Sequence, residues 1–316
     1  MRVLVTGGAG FIGSHLAERF LDSGHEVLVL DNLSTGCAEN VPAGAAFENL
    51  DLREVEGVRS VVERFKPEII SHHAAQIDVR KSVADPLVDA EINVCGSVHL
   101  FSCAARCGVR ALLFASSGGT VYGETPNPAN ETAPKAPISP YGSAKLSVES
   151  YLFTFASQGL PTLSLRYGNV YGPRQDSAGE SGVISIFSGA LLARDAPVIY
   201  GDGEAVRDYV MVEDVVRANE LAIEHLLAVP RRPGTLDDAA VNIGSGVSTS
   251  VNEVYRLIAE HLRSDRVPRR AAERPGELDQ SRLDVTKARD LLGFVPATDL
   301  PEGIRRTVEW VRASRA

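Results

Sequence analysis

The sequence predicts an α/β fold in which helices cover both faces of a doubly wound parallel sheet. Three observations predict it. Short apolar segments alternate with helical segments through the first half of the chain, and a glycine-rich turn joins the first strand to the first helix. The chain has 316 residues, 44% of them hydrophobic, which is enough to bury the core of one or two domains. After residue 171 the pattern loosens into Gly- and Pro-rich segments, which predicts a smaller mixed α/β lobe.

The first strand, Arg2 to Thr6, leads into a glycine-rich turn at residues 7–13, and a helical pattern follows. In such a turn Gly7 permits the tight bend, Gly10 lets a pyrophosphate approach the backbone, and Gly13 lets the helix sit close on the strand. The N–H groups at the start of the helix then face the anion. The turn therefore predicts a Rossmann-like dinucleotide site. Its Gly-x-x-Gly-x-x-Gly spacing is associated with short-chain dehydrogenases.

The second strand, residues 26–30, ends at Asp31. A carboxylate there can accept hydrogen bonds from an adenosine ribose 2′-hydroxyl and would repel a 2′-phosphate. NAD is therefore favoured over NADP. Asp51 and Leu52 follow the third candidate strand, residues 46–50, and are candidates for a contact with adenine.

Further strands are predicted at 68–73, 111–117 and 162–167, with helices at 88–107 and from Tyr141 to about Gln158. Ligand and catalytic residues are expected at the carboxyl ends of the strands. His72 and His73 stand at such an end, and we interpret them as packing or backbone-bonding histidines.

Tyr141 and Lys145 are the strongest catalytic candidates. Side chains four residues apart share one face of a helix. An ammonium held near a phenol stabilises the phenolate and lowers a pKa that is normally about 10. The pair therefore predicts a base that takes a hydroxyl proton near neutral pH.

The net charge and the cysteines indicate which kinds of binding partner and which cellular location to expect. The net charge of −9 makes a nucleic-acid footprint unexpected, and no apolar run is long enough to span a bilayer, so no membrane contact is expected either. The four cysteines have no metal-ligand spacing, and no metal is predicted. Without a recognisable signal peptide, we expect reduced thiols and a cytoplasmic protein.

With these residues assembled, the chain resembles the extended short-chain dehydrogenase/reductase family of the sugar-nucleotide epimerase type, and most closely the UDP-glucose (UDP-galactose) 4-epimerases. The resemblance runs essentially from end to end. Besides the glycine turn and the Tyr141 to Lys145 segment, its carriers are residues 31–33, 73–76, Asn93, 116–123, 166–174, 201–203, 207–210, 242–244 and 274–277.

The resemblance implies an NAD-dependent 4-epimerase of a UDP-sugar. Tyr141 resembles the base that takes the proton of the sugar 4-hydroxyl, and Lys145 would lower its pKa and hold the nicotinamide ribose. Hydride would pass from sugar carbon 4 to tightly held NAD and return to the opposite face of a 4-keto sugar. Many relatives use the last of three serines to assist this base, but this chain has a glycine at that place. Ser117 is the first choice for the assisting hydroxyl and Thr120 the second.

The resemblance also implies two sets of binding residues. The cofactor set is Gly7, Gly10, Phe11, Ile12, Gly13, Asp31, Asn32, Ser34, Gly36, Asp51, Leu52, Ala74, Ala75, Gln76, Asn93, Ser116, Tyr141, Lys145 and Tyr167. The substrate set is Ser117, Thr120, Tyr141, Asn169, Val183, Val198, Tyr200, Arg207, Tyr209, Arg274 and Glu277. In the substrate set, Arg207 and Arg274 match diphosphate-binding arginines, whose planar guanidinium suits phosphate oxygens.

Related dehydratases carry an Asp-Glu pair where this chain has Gly119 and Thr120, which disfavours dehydration. Two other substrate series stay open. Ser281 stands where some epimerases have a bulky Tyr, and a small residue there would admit an N-acetyl sugar. Arg80, Lys81 and Arg174 raise the alternative of a 6-carboxylate, as in UDP-glucuronate. A net NAD-dependent oxidoreductase and a non-catalytic NAD-binding protein are less favoured.

The expected division places the NAD-binding domain at 1–170, with returning segments at about 205–228 and 240–246. The substrate lobe would comprise mainly 171–204 and 229–316. The resemblance further implies a homodimer in which two long helices of each subunit form a four-helix bundle, with segments 88–107 and 143–158 as candidates.

Overall fold

The computed structural model describes residues 1–176, 182–229, 232–273 and 278–315. Its twelve strands in these ranges are β1 (Arg2–Thr6), β2 (Glu26–Asp31), β3 (Ala46–Asn49), β4 (Ile69–His72), β5 (Ala111–Ser117), β6 (Thr162–Tyr167), β7 (Asn169–Tyr171), β8 (Val198–Tyr200), β9 (Val206–Met211), β10 (Ala240–Ile243), β11 (Ser248–Ser250) and β12 (Arg269–Ala271). Arg274 and Glu277, both predicted to bind substrate, lie outside the described residues.

The helices are α1 (Phe11–Asp22), α2 (Val55–Phe65), α3 (Val79–Ala84), α4 (Pro86–Ala90), α5 (Gly96–Arg106), α6 (Gly118–Val121), α7 (Pro140–Ser157), α8 (Val183–Leu192), α9 (Val212–Ala228), α10 (Val251–Leu262), α11 (Thr286–Leu292) and α12 (Leu300–Ala313). A π-helical turn, Glu91–Cys95, joins α4 to α5, and a 3₁₀ turn, Ala38–Asn40, follows β2. Where the chain is described, no helix has the length and apolar character needed to cross a bilayer.

Seven parallel strands form the main sheet in the order β3-β2-β1-β4-β5-β6-β10. The chain moves outward from β1 to β3 and then returns to place β4 on the other side of β1. A crevice opens at such a switch point, beyond the carboxyl ends of the strands. This arrangement confirms the predicted Rossmann-like fold.

Helices cover both faces of the sheet because successive strand residues point to opposite sides. Val3, Val5 and Val29 pack with α1 and α9 on one face, whereas Leu4 and Leu30 pack with α2, α5 and α7 on the other. These strands are therefore apolar on both sides, as a doubly covered parallel sheet requires.

The smaller lobe has its own core. A three-stranded sheet of order β11-β9-β7 and a two-stranded sheet of β12 and β8 pack with α8, α10 and α12. Tyr171, Phe187, Met211, Ile258 and Ile304 are among the buried residues of this core.

The predicted helix at 88–107 begins earlier than expected and is not regular. Pro86 opens α4, where the missing N–H of proline costs no hydrogen bond, and Asp85 caps the helix by accepting from Val88 N at 3.1 Å. The π-helical turn then contains Asn93, one of the predicted cofactor residues. Sequence periodicity alone did not indicate this widened turn.

Candidate active site

The glycine turn after β1 is packed so closely that side chains are excluded. Gly7 has a φ of +70°, and a Cβ there would lie 2.6 Å from the backbone nitrogen of Ala74. A Cβ on Gly13 would lie 2.1 Å from the carbonyl oxygen of Gly7. Gly10 is the N-cap of α1, and no side chain makes a capping hydrogen bond there. The first N–H groups of the helix are therefore not bonded by a capping side chain, as a pyrophosphate site at a helix N-terminus requires.

Asp31 ties the glycine turn to the loop after β2. Its carboxylate is buried, with Oδ2 accepting from Ala9 N at 3.0 Å and Oδ1 from Leu33 N at 2.8 Å. The loop also packs on the turn at Gly36, where a Cβ would lie 3.0 Å from Ala9. The backbone thus holds the carboxylate that we expect to bind the ribose.

Asp51 lies next to this loop. Its Oδ2 accepts from Asn32 Nδ2 at 2.8 Å, and the Arg53 guanidinium bonds both carboxylate oxygens. Hydrogen bonding to Arg53 is the largest influence and lowers the pKa of Asp51 to about 2. Of the other predicted adenosine contacts, Ser34 donates its N–H to Asn32 Oδ1, and Leu52 is buried against Gly96.

The two histidines after β4 are structural. His72 is fully buried between Thr6 Oγ1 at 2.6 Å and Ser97 Oγ at 2.8 Å. His73 stacks on Tyr167 and bonds its hydroxyl at 3.1 Å. Burial lowers the pKa of both imidazoles, that of His73 to about 3, so both are neutral.

Tyr167, a predicted cofactor residue, is therefore part of the buried core. Its hydroxyl is held by His73 and by the amide of Asn219, with Asn219 Nδ2 donating at 2.8 Å. Ser116, from the same predicted set, is also buried and donates its hydroxyl proton to Glu149 Oε1.

The loop after β4 holds the next predicted cofactor residues. Ala74 N donates to Thr6 Oγ1 at 3.3 Å, which ties the loop to β1. Asn93 bonds both backbone groups of Gln76: its Oδ1 accepts from Gln76 N at 2.8 Å, and its Nδ2 donates to Gln76 O at 3.0 Å. Ala75 lies between these two anchored residues.

The helix that carries Tyr141 and Lys145 begins where its sequence dictates. Ser139 caps α7 by accepting from Gly142 N at 3.2 Å, and Pro140 occupies its first turn. Lys145 is buried, with Nζ 5.6 Å from the centre of the Tyr141 ring and 2.7 Å from Ala115 O. Phenol and ammonium thus meet at the carboxyl end of β5.

The pKa of Tyr141 differs from the sequence-based expectation. Burial is the largest influence and raises the pKa of the phenol above its usual value of 10, and the charge on Asp89 acts in the same direction. A hydrogen bond with the Ser117 side chain opposes them. Burial also lowers the pKa of Lys145 to about 8. The prediction of a lowered phenol pKa is wrong for this structure because desolvation outweighs the hydrogen bond with Ser117.

The structure distinguishes the two candidates for the assisting hydroxyl, Ser117 and Thr120, by the surroundings of their side chains. The Ser117 side chain lies near enough to the Tyr141 phenol to lower its pKa. Thr120 Oγ1 is buried and has no hydrogen-bond partner within the described ranges. This geometry favours the first choice for the assisting hydroxyl.

A group of small polar side chains surrounds Gly119. A Cβ at this position would lie 3.5 Å from Asn169 Oδ1, 3.8 Å from Ser117 Oγ and 3.9 Å from Ser281 Oγ. The three side chains come from β7, β5 and the segment before α11. The structure therefore brings Ser281 close to the same glycine as Ser117 and Asn169.

The other predicted substrate residues lie in or beside the smaller lobe. Val183 begins α8, and Val198 and Tyr200 lie on β8. Arg207 lies on β9 and bonds Val206 O at 2.9 Å. Tyr209 is buried edge-on to Tyr171 in the core of the lobe.

Phe11 and Ile12, which belong to the predicted cofactor set, are the first two residues of α1.

The cations considered for a sugar carboxylate are engaged elsewhere. Arg174 lies against α1, where it bonds Glu18 and, at 3.4 Å, Ser14 Oγ. Arg80 and Lys81 are exposed on α3, and Arg80 pairs with Asp78 at 3.7 Å. Their positions give the UDP-glucuronate alternative no support.

Sequence reasoning missed two buried acids beside the catalytic pair. Glu149 lies one helical turn after Lys145 and forms a fully buried ion pair with Arg166 at 2.7 Å. Its four-residue spacing from Lys145 was a usable signal. Asp89 on α4 is equally buried and bonds Gln76 and Asn93. No local motif marked it.

Comparisons with known proteins agree with this geometry. Residues 3–244 match the family described as "NAD dependent epimerase/dehydratase family". The UDP-glucose 4-epimerase of Mycolicibacterium smegmatis is 44% identical over 99% of both chains. A crystal structure of UDP-glucose 4-epimerase from Thermotoga maritima with UDP-glucose superimposes with a TM-score of 0.94, at 43% identity and full coverage of both chains.

A UDP-glucose 4-epimerase from Thermus thermophilus in complex with NAD gives a TM-score of 0.91 at 44% identity, covering 99% of this chain and 100% of that one. The match spans the glycine turn, the strand ends and the Tyr141–Lys145 helix. The chain therefore belongs to the NAD dependent epimerase/dehydratase family.

Proposed function

We propose that this protein is an NAD-dependent 4-epimerase of a UDP-sugar and that UDP-glucose and UDP-galactose are its default pair. The observation that carries the proposal is the meeting of Tyr141, Lys145 and Ser117 at the carboxyl end of β5, in the crevice that the glycine turn also borders. Full-length similarity to enzymes named UDP-glucose 4-epimerase supports it.

The residues at the switch point fit NAD. The close backbone packing at Gly7 and Gly13 is what a dinucleotide-binding turn requires, and the buried carboxylate of Asp31 suits a ribose with a free 2′-hydroxyl. We propose that the remaining cofactor residues complete this site. When bound, NAD would accept a hydride from sugar carbon 4 and return it to the opposite face.

The chain itself supplies the proton chemistry. In its phenolate form, Tyr141 would take the proton of the 4-hydroxyl as the carbon–hydrogen bond breaks, and would return it when the keto group is reduced. Ser117 would hold the sugar oxygen against the phenol. Lys145, whose pKa of about 8 leaves it largely protonated at neutral pH, would stabilise the phenolate.

Beside position 119, the described residues place no carboxyl group that could serve dehydration. Eliminating water from carbons 5 and 6 needs an additional acid–base group near those carbons. Within the ranges that the structure describes, the atoms nearest to a side chain at position 119 belong to Asn169, Ser117 and Ser281. None is a carboxyl, and this supports epimerisation.

Substrate recognition completes the proposal. Arg207 and Arg274 would bind the diphosphate, because a planar guanidinium matches phosphate oxygens. Asn169 reaches the space beside Gly119 and would hold the sugar or the diphosphate. We propose lesser contacts for Thr120, Val183, Val198, Tyr200, Tyr209 and Glu277.

The direct experiment uses the purified full chain with no added coenzyme. UDP-galactose is incubated with the protein, and UDP-glucose is quantified by chromatography. Conversion without added NAD would establish an epimerase that retains its coenzyme. Conversion of UDP-galactose to an oxidised sugar only when NAD is supplied would identify a net oxidoreductase instead and would overturn the proposal.

A second substrate series is favoured by one observation. Ser281 is small, buried and 3.9 Å from the position of a Cβ on Gly119. We propose that the space beside it admits UDP-N-acetylglucosamine. We expect the wild-type enzyme to turn this sugar over at a rate comparable to its rate with UDP-galactose. Ser281→Tyr, which fills the space, should abolish this turnover, and the matched variant Ser281→Ala should retain it. Complete inactivity of the wild-type enzyme on the N-acetyl sugar would sink this part.

We also propose a homodimer built on α4, the following π-helical turn, α5 and α7. α4 packs on α7 within the subunit, yet Leu87 is 75% exposed, Val83 62% and Tyr151 48%. Exposed apolar side chains on adjoining helices are typical of interfaces. Leu87→Asp should shift light-scattering mass from dimer to monomer, and a wild-type mass of one subunit would contradict the proposal.

The two-lobe division given by the sequence remains our proposal for the domains, with NAD held by 1–170 and its returning segments and sugar covered by the smaller lobe. We further propose a cytoplasmic location. The four cysteines are free thiols, which suits a reducing compartment.

A further inference from the structure

Asp89 is a buried carboxylate beside the catalytic pair, and the chemistry above does not use it. It lies on α4, which packs on the helix that carries Tyr141 and Lys145, and only 1% of it is exposed. Its Oδ1 accepts from Gln76 Nε2 and Asn93 Nδ2, each at 2.9 Å. Both donors are neutral amides, so they do not compensate its charge.

Glu149, the other acid near Lys145, is in a different situation. Arg166 bonds both of its oxygens, at 2.7 and 3.0 Å, and both side chains are fully buried. The charge on Glu149 is therefore compensated by its own partner. Burial raises the pKa of the Asp89 carboxyl, and the charge on Lys145 acts in the opposite direction together with the two amide hydrogen bonds.

A chain of hydrogen bonds leads from Asp89 to the backbone of the catalytic tyrosine. Asp89 holds the amide of Asn93, which bonds both backbone groups of Gln76. The side chain of Gln76 in turn bonds the backbone just before α3, with Nε2 donating at 2.9 Å and Oε1 accepting at 2.6 Å. Ser82 of α3 accepts from Tyr141 N at 3.2 Å.

We propose that Asp89 is a positioning residue of the active site: it clamps the loop after β4 through Gln76 and Asn93, from a helix that packs on the one carrying Tyr141 and Lys145. The inference rests on the proposed function of that pair. Asp89 acts through side chains that meet the substrate and does not contact the reacting atoms itself.

The direction of the electrostatic effect follows from the signs. The charge on Asp89 raises the pKa of the Tyr141 phenol and that of the Lys145 ammonium. Removing it lowers both, so both limbs of a bell-shaped pH profile move to lower pH. The other charged or titratable groups around the pair are Glu149 of α7, His72 of β4, His73 directly after it, Asp78 at the N-cap of α3, and Arg80 and Lys81 within α3.

The test uses Asp89→Asn, which keeps the shape and an oxygen for both amides but removes the charge. We expect near-normal NAD content and a kcat profile for UDP-galactose displaced by about one pH unit toward acid on both limbs. Asp89→Ala should show the same displacement and also lose coenzyme, because the clamp is gone. Asp89→Ser, which is smaller and also neutral, replaces the Asn variant if that one does not fold.

Asp78→Asn is the matched control. Asp78 caps α3 by accepting from Arg80 N and Lys81 N, so this variant perturbs the same loop without a charge that acts on Lys145. Its limbs should stay in place. Unmoved limbs in Asp89→Asn, or equal displacement in Asp78→Asn, would overturn the proposal.

A second readout needs no turnover. The near-ultraviolet absorbance of phenolate is titrated in protein with bound NAD, and the titration of Tyr141→Phe is subtracted. The difference reports Tyr141, and its midpoint should fall in Asp89→Asn. If the wild-type protein epimerises no sugar, the proposed function fails while this titration still decides the role of Asp89.

Discussion

A methyl group added at Gly13 would lie 2.1 Å from the carbonyl oxygen of Gly7, whereas one added at Gly119 would lie 3.5 Å from its nearest neighbour, Asn169 Oδ1. In our proposal the first glycine belongs to the cofactor end of the site and the second to the sugar end. Backbone packed against backbone leaves no freedom at the cofactor end. Small side chains at ordinary van der Waals distance leave room for an added methyl group at the sugar end. A single scaffold can therefore keep one coenzyme and vary its sugar.

Tyr141 stands where the two ends meet, and its loss should have the largest effect. Tyr141→Phe removes the proton acceptor but keeps the ring beside Lys145. We expect kcat to fall by about 10²–10⁴-fold, the usual contribution of general base catalysis, with NAD still bound. The kcat for UDP-galactose and the coenzyme content of the purified protein measure the two parts. Near-normal turnover would refute the assignment of Tyr141.

Substituting alanine for Gly13 and for Gly119 tests directly whether the two ends of the site differ in packing. Gly13→Ala forces backbone apart, and overpacking of this kind costs about 1–3 kcal/mol. We expect a lower melting temperature and protein that is purified without NAD. Gly119→Ala should fold and retain NAD like the wild type, with its effect confined to the KM for the sugar. Similar stability losses in both variants would mean that the two ends do not differ as described.

Asp31 tests whether charge also defines the cofactor end. The carboxylate accepts two backbone hydrogen bonds, and bonds to a charged group are worth about 1.5–3 kcal/mol each. Asp31→Ala should weaken NAD retention by roughly ten- to a hundredfold and relax discrimination against NADP. Competition between the two coenzymes on apoprotein measures both. An unchanged preference would place ribose recognition at another residue.

The cofactor end was largely predictable because its determinants are local. The turn at Gly7 to Gly13 and the strand end at Asp31 each lie within one βα unit, so spacing alone indicates them. The helix from Pro140 to Ser157 was likewise predicted to within a residue of its bounds, since proline and the Ser139 cap mark its start.

The sugar end and the electrostatics were less predictable because they depend on distant contacts. Ser281 meets Ser117 across Gly119 although 164 positions separate the two serines in the sequence. The raised pKa of Tyr141 comes from burial, which a spacing rule does not contain. Asp89 stands on a helix whose start and π-helical end no sequence period revealed.

The smallest effect is expected at Asp51, the more exposed acid of the cofactor end. Its folded-state pKa of about 2 lies below the usual 3.8, so its pairing with Arg53 stabilises the fold above pH 3.8 and is lost as the pH falls toward 2. Arg53→Ala should lower the free energy of unfolding at pH 7 by less than about 1 kcal/mol, because the guanidinium is half exposed. Denaturant unfolding of both proteins between pH 7 and pH 3 measures this, with Arg53→Lys as the charge-conserving control. The difference should begin to shrink below pH 4, whereas a difference that grows toward acid would contradict the pairing. A small loss of unfolding free energy in Arg53→Ala, beside a large loss of NAD retention in Asp31→Ala, would show that the cofactor end depends on its buried carboxylate and not on its surface charge.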